Sequence, residues 1–178
     1  MDKFNQIFIE GTAKVAADYM QLPVSGMENP IYRERVYCYE LYHQLRSRWP
    51  PNCDYSLGGE VDKKSHPLIR GNNLDNVKPD LLVHRPGDMG GNYAVIEVKP
   101  VSASNAGLKK DLRTLTAFHR YGEYARTLLL VYGNAADIEP LLQRVQIMAH
   151  QDNGENIDVA CVEIWWHRLA GQPVERVG

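Results

Sequence analysis

The chain has 178 residues, enough for one well-packed domain but cramped for two. Apolar residues make up 44% and charged residues 24%, and the net charge of −2 excludes a chain that is basic overall. No stretch approaches the roughly 20 apolar residues of a membrane-spanning helix. The first twenty residues lack a signal-peptide core, and the three cysteines are scattered without a CxxC pair. We therefore expect a cytoplasmic protein without membrane contact.

The first part of the chain predicts two helices. Residues 2–20 carry apolar side chains at helical spacing. A second helix is expected to begin at Asn29-Pro30, because Asn favours the N-cap and Pro the first helical position. It should end near Arg48, before Trp49-Pro50-Pro51. Residues 21–28 are expected to form the loop between the two helices.

The remainder predicts alternating strands and helices. Two glycines weaken a strand expected over 54–62, and a polar loop is expected over 63–78. Stronger strands over 80–84 and 93–99 are joined by an eight-residue connection with one Pro and three Gly, which favours a hairpin. The remaining predicted elements are a helix over 105–121, a strand over 126–132, a helix over 135–150 and a strand over 158–167. This order indicates a single α/β domain with a mixed sheet.

The candidate chemistry lies in Pro79-Asp80 and Glu97-Val98-Lys99. Side chains alternate across a strand, so Glu97 and Lys99 share one face with Val95, while Ala94, Ile96 and Val98 should pack into the core on the other. If the two strands are neighbours, Asp80 can lie beside Glu97. With the Val98 carbonyl, the two carboxylates would form an oxygen-rich site that suits Mg²⁺ or Mn²⁺ rather than zinc.

Each of these residues alone is an ordinary strand-end charge, but together they suit phosphodiester hydrolysis. Glu97 interrupts an apolar run, where burial of a charge is costly. A bound metal polarises a phosphate and lowers the pKa of its water, and the Lys99 ammonium can hold or activate that water and offset developing charge.

The motif Asp80, Glu97 and Lys99 resembles the signature of the PD-(D/E)XK nucleases, and the order of elements over about 30–132 is similar to their shared core. The resemblance implies a restriction-endonuclease-like, three-layer domain over 1–178, with a central mixed β-sheet flanked by helices. An N-terminal helix and a C-terminal helix-strand extension would complete it. It implies a Mg²⁺-dependent endonuclease that cuts DNA, or less often RNA, and the superfamily usually leaves 5′-phosphate and 3′-hydroxyl ends.

Members of this superfamily often add a glutamate from the helix before the first strand. Glu34 lies in line with the apolar stripe of that helix, whereas Glu40 lies off it, so periodicity favours Glu34. The tyrosines of the helix blur the stripe, and both residues stay candidates. Glu60 on the weak strand is a third. A surface glutamate is the structural alternative for each.

Charge is uneven along the chain. From Lys99 to Arg126 there are six Lys/Arg against two acids, and from Asp137 to Glu163 six acids against one Arg. Lys109, Arg113 and Arg120 share a helix face that could follow a phosphate backbone. A solvated outer face explains them equally well.

Two further functional hypotheses stay open. The overall acidity and the short chain fit a catalytically silent nuclease-like fold that acts as a nucleic-acid-binding or protein-assembly module. The other hypothesis is a nuclease subunit that is active only as a homodimer or within a larger complex. One site cuts one strand, so cleavage of both strands would need two sites.

Overall fold

The computed structural model describes residues 3–60, 77–88 and 90–178, where the chain forms an α/β fold around a mixed six-stranded sheet. The strands are β1 (Ser56–Gly59), β2 (Leu81–His84), β3 (Asn92–Pro100), β4 (Arg126–Tyr132), β5 (Val162–His167) and β6 (Glu175–Arg176). They lie in chain order across the sheet. The pairs β1–β2, β2–β3 and β5–β6 are antiparallel, and β3–β4 and β4–β5 are parallel.

Helices cover both faces of this sheet. Within the described residues they are α1 (Phe4–Thr12), α2 (Ala17–Met20), α3 (Glu34–Ser47), α4 (Asn105–Arg120) and α5 (Glu139–Asp152). Side chains of α1 and α3, including Phe8, Tyr37 and Leu41, form one apolar core with the sheet. Side chains of α4 and α5, including Leu112 and Val145, form a second core. The α/β class and the layered arrangement are therefore as predicted.

Strand β3 runs through the centre and faces both cores. Ile96 and Val98 belong to the core under α1 and α3, and Val95 belongs to the core under α4 and α5. The predicted alternation is confirmed, but the prediction assigned core packing to the Ile96 face alone. Because α4 covers the other face, Glu97 is only 6% exposed.

Helix α3 begins later than predicted. Asn29 was expected to be its N-cap, but the helix starts at Glu34, and Arg33 before it is extended. The reason is a competing backbone interaction: Ile31 and Leu22 exchange N–H···O bonds of 2.8 and 3.0 Å as an isolated antiparallel bridge. That bridge holds the chain extended, and it makes Glu34 the first helical residue.

The predicted N-terminal helix over 2–20 is two helices. Helix α1 ends at Thr12, whose hydroxyl donates to the Phe8 carbonyl at 2.9 Å. The turn that follows lets Val15 pack fully into the core before α2 begins. In a continuous helix, the direction of the Val15 side chain would be set by the helical period. The break after Thr12 instead allows Val15 to pack into the core, so core packing overrides helical periodicity here.

Two boundaries in the C-terminal half were also wrong, and for a common reason. The predicted helix over 135–150 begins only at Glu139, whose amide donates to the Asp137 carboxylate at 3.0 Å. The predicted strand over 158–167 begins at Val162, because Asp158 accepts from the Ala160 amide at 3.1 Å and starts a 3₁₀ turn over Val159–Cys161. In both places an aspartate side chain competes with regular structure for a backbone donor.

Most of the other predicted elements are confirmed. The hairpin of β2 and β3 forms, with an irregularity between Val83 and His84. Helix α4 and strand β4 match closely, and Ser104 caps α4 by accepting from the Gly107 amide at 3.2 Å. The weak first strand is shorter than expected, β6 was not predicted, and the predicted loop over 63–78 lies mostly outside the described residues. Within those residues, no helix is both long and apolar enough to cross a membrane.

Candidate active site

The register of the β2–β3 hairpin brings Asp80 and Glu97 together. Leu81 lies opposite Ile96, so one step further along the same antiparallel register sets Asp80 opposite Glu97. Asp80 is just outside β2 rather than in it, and its Oδ2 accepts from the Val98 amide at 2.8 Å. The two carboxyl groups are therefore neighbours at this end of the hairpin.

Lys99 lies at the same end of β3 and connects the two helical layers. Its Nζ donates to Oε2 of Glu34 on α3 at 2.8 Å and lies 2.9 Å from Oδ2 of Asp111 on α4. It also contacts the carbonyl oxygen of Val98 at 3.2 Å. The side chain is 13% exposed, so the ammonium sits between two carboxylates largely out of water.

The structure separates the three candidate glutamates. Glu34 contacts Lys99 directly. Glu40 accepts from Gln44 of the next helical turn at 2.6 Å, away from Lys99. Glu60 pairs with Arg35 at 3.2 Å and lines the same cavity as Glu34 and Asp80. Of the helix candidates, the geometry therefore brings Glu34 into the cluster and leaves Glu40 outside it.

Asp111 is the member of the cluster that sequence reasoning missed. It is 2% exposed and lies on the buried face of α4, at helical spacing from Leu108 and Leu115. The signal was available, since a carboxylate interrupts the apolar stripe of this helix as Glu97 interrupts the apolar run of β3. It was hidden because Lys109, Lys110 and Arg113 make the helix appear as a charged outer surface.

The cluster holds more negative than positive groups. Burial raises the pKa of Asp80, although the hydrogen bond from the Val98 amide opposes it. Burial, followed by the charges of Asp80 and Asp111, raises the pKa of Glu97 well above its usual range. Of the two carboxyl groups, Glu97 therefore favours the protonated form more strongly.

The pKa values of Lys99 and Asp111 also reflect the excess of acidic groups in the cluster. Burial raises the pKa of Asp111 to about 6, with the neighbouring Lys99 ammonium opposing the rise. Burial alone would lower the pKa of Lys99, but Asp111 and Glu34 raise it above its usual value. Lys99 is therefore a fixed cation at neutral pH, and the acids around it exceed what its single charge can balance.

The donor set of this cluster is made of oxygen atoms, which suits a hard divalent cation. The carboxyl groups of Asp80 and Glu97 lie opposite each other across the hairpin, and the Val98 carbonyl accepts from the Lys99 ammonium. A search of the described residues for three or more His, Cys, Asp or Glu side chains arranged as a metal site finds none.

The predicted basic stripe lines a second cavity of about 700 Å³ on α4. Lys109, Arg113 and Arg120 all contribute to its walls. Arg113 pairs with Asp152 at 3.2 Å, and Arg120 donates to the carbonyls of Glu155 and Gly154 at 2.7 and 3.0 Å. The two arginines thus fasten the segment after α5 to α4.

Thr116 lies between Arg113 and Arg120 along α4, but it is only 1% exposed, beneath that segment, and accepts from the Asp158 amide at 3.0 Å. The basic stripe is therefore partly covered by the segment that Arg113 and Arg120 hold.

Comparison of the chain with protein-family models, with curated proteins and with solved structures finds no match.

Proposed function

We propose that this protein is a metal-dependent nuclease of the restriction-endonuclease-like class that hydrolyses phosphodiester bonds of DNA. The observation that supports it best is the meeting of Asp80, Glu97 and Lys99 at one end of β3, out of contact with most of the solvent. The surrounding excess of carboxylates is costly for folding unless a cation balances it. Because the excess charge is negative, the site favours a metal cation over an anionic ligand.

The chain's own residues divide the work. Asp80 and Glu97 would hold Mg²⁺ or Mn²⁺ as carboxylates, with the Val98 carbonyl as a further oxygen. The bound metal would polarise the phosphate and lower the pKa of its water. Lys99, already a cation at neutral pH, would donate hydrogen bonds to the phosphate oxygens or the attacking water and offset developing charge. Its raised pKa argues against a role as general base.

Glu34 and Asp111 would act on the reaction through Lys99. Their carboxylates contact its ammonium from opposite helical layers at 2.8 and 2.9 Å, and these two contacts fix the position of the Lys99 side chain. Both would be positioning residues in this proposal. Water adds to phosphorus and the P–O bond to the leaving group breaks, giving the phosphate and hydroxyl ends expected of this superfamily.

The test is cleavage of supercoiled plasmid and end-labelled DNA by purified protein with Mg²⁺ or Mn²⁺. Wild type should nick or cut, chelation of the metal should stop it, and Lys99→Ala should lower the rate by about 10²–10³-fold or more. Lys14→Ala, an exposed lysine far along the chain from the site, is the matched control and should cut like wild type. Equal residual activity in wild type and Lys99→Ala would refute the proposal.

A further inference from the structure

A cavity of about 450 Å³ opens directly beside the candidate active site. Its walls are formed by one face of α3 and by the ends of β1 and β2. Glu34 and Asp80 belong both to this cavity and to the cluster around Lys99. Its volume lies within the roughly 300–1,000 Å³ of small-molecule sites. An occupant would therefore lie next to the reacting phosphate.

The α3 wall carries two tyrosines one helical turn apart. Tyr39 is 61% exposed, and Tyr42 is half-buried, with its ring within 3.7 Å of the position that a side chain on Gly59 would take. Both line the cavity. Gly59 leaves the facing wall without a side chain, so the space opposite the rings stays open. Flat aromatic rings bordering an open cavity suit a planar ligand that can stack.

The charge of the described walls disfavours a phosphate group as the occupant. Among the described residues, Glu34, Asp80 and Glu60 border the cavity, and the cation that borders it, Arg35, is paired with Glu60 at 3.2 Å. Carboxylates accept hydrogen bonds, and adenine, cytosine and guanine carry amino groups that donate them. An uncharged base fits these walls, while its phosphate fits the end of β3 beside Lys99.

We infer that this cavity binds a nucleobase next to the scissile phosphate and that the substrate is DNA unpaired at that position. This inference rests on the proposed nuclease function. A base leaves a duplex only at a cost of a few kcal/mol, whereas a single strand or a flap presents its bases already free. Single-stranded DNA is therefore the preferred substrate over blunt duplex.

Cleavage and binding of one sequence as single strand and as blunt duplex test the inference. Binding is followed with a 2-aminopurine base whose fluorescence falls on stacking, in Ca²⁺, for wild type, Tyr39→Ala, Tyr39→Trp and Tyr19→Ala. Tyr39→Ala should bind the single strand roughly tenfold more weakly and lose most of the preference for it. Tyr39→Trp should keep the preference. Tyr19, 43% exposed on α2, is the control.

The outcomes separate the two proposals. If wild type cuts DNA but Tyr39→Ala behaves like Tyr19→Ala in quenching and in strand preference, the base-binding cavity is refuted and the nuclease proposal stands. If wild type cuts duplex faster than single strand, the inference is also refuted. If wild type cuts neither substrate, the nuclease proposal is refuted, and the inference that the cavity binds a base of the substrate is refuted as well.

Discussion

Among the described residues, buried carboxylates occur in two regions, and their neighbours differ. Asp152, at the end of α5, accepts from the amides of Asn156 and Ile157 at 2.6 and 2.8 Å and from the Arg113 guanidinium at 3.2 Å. Burial alone would raise the pKa of Asp152, but these donors lower it to about 2. This carboxylate is satisfied as an anion, and its role is to join α5 to the following segment.

At the end of β3 the balance is reversed. Asp80, Glu97, Glu34 and Asp111 share one ammonium, that of Lys99, and burial raises the pKa of Asp80, Glu97 and Asp111. Buried carboxylates thus connect neighbouring segments where enough hydrogen-bond donors are present. Where donors are too few, they leave an excess of negative charge. We infer that the second region is the functional one, because one ammonium and the Val98 amide are fewer donors than its four acids need.

Removal of the central cation should give the largest effect on stability. Without metal at neutral pH, Lys99→Met should lower the free energy of unfolding by about 3–5 kcal/mol, because Glu34 and Asp111 lose their counter-charge in a buried site. Arg113→Met should cost under about 1 kcal/mol, since Arg113 is 48% exposed and Asp152 keeps its amide donors. Denaturant unfolding measures both, and equal losses would contradict the contrast between the regions.

The pH dependence of stability should have a definite sign at Asp111. Its pKa is about 6 in the folded protein against 3.8 for the free side chain, so the folded state binds a proton first as pH falls. The stability contributed by protonated Asp111 is full below about 3.8 and is lost as pH rises through 6. Relative to Asp111→Asn, wild type should gain about 2 kcal/mol between pH 7 and pH 4. A gain in the opposite direction would show that Asp111 is satisfied as an anion.

Neutralising Glu97 at β3 and a well-paired carboxylate elsewhere, Glu163 on β5, should extend the comparison. Glu97→Gln should not lower the free energy of unfolding, because it removes a buried charge with a raised pKa. Glu163→Gln should lower it by about 1–2 kcal/mol, since the Glu163 carboxylate holds the Arg126 guanidinium through two bonds of 2.7 Å. Thermal unfolding of the two variants at neutral pH measures these stability changes. Destabilisation by Glu97→Gln would contradict an excess of negative charge at the end of β3.

The smallest effect is expected at the basic cavity on α4. Lys109→Ala should weaken DNA binding a few-fold and reduce the slope of log Kd against log salt by about one, the effect of one lost phosphate contact. Anisotropy titrations of labelled DNA in Ca²⁺ at several salt concentrations provide the measurement. An unchanged slope would show that phosphate does not contact this face.

Alternation and strand order were enough to predict the centre of this site. Glu97 and Lys99 share a face because β3 is a regular strand, and Asp80 comes beside Glu97 because the turn-rich connection makes β2 and β3 a hairpin. These are local rules with a period of two, and a single sequence reveals them. The choice of Glu34 over Glu40 likewise follows the apolar stripe of α3.

The rest of the site depends on contacts between distant parts of the chain. The bridge of Ile31 with Leu22 delays α3, and no local signal at Asn29 announces it. Asp111 meets Lys99 only because α4 folds back across β3, so its role appears only with the tertiary structure. The burial of Thr116 depends in the same way on the segment held by Arg113 and Arg120.

Calorimetric titration of metal-free protein with Mn²⁺ near pH 7.5 tests most directly whether the acid excess at β3 is a cation site. Wild type should bind one or more ions with release of protons, because burial raises the pKa values of Asp80 and Glu97 and a metal ion binds only their deprotonated forms. Asp80→Asn should abolish or greatly weaken binding, and Asp152→Asn should bind as wild type. Absence of binding to wild type, or equal binding by Asp80→Asn, would contradict the account.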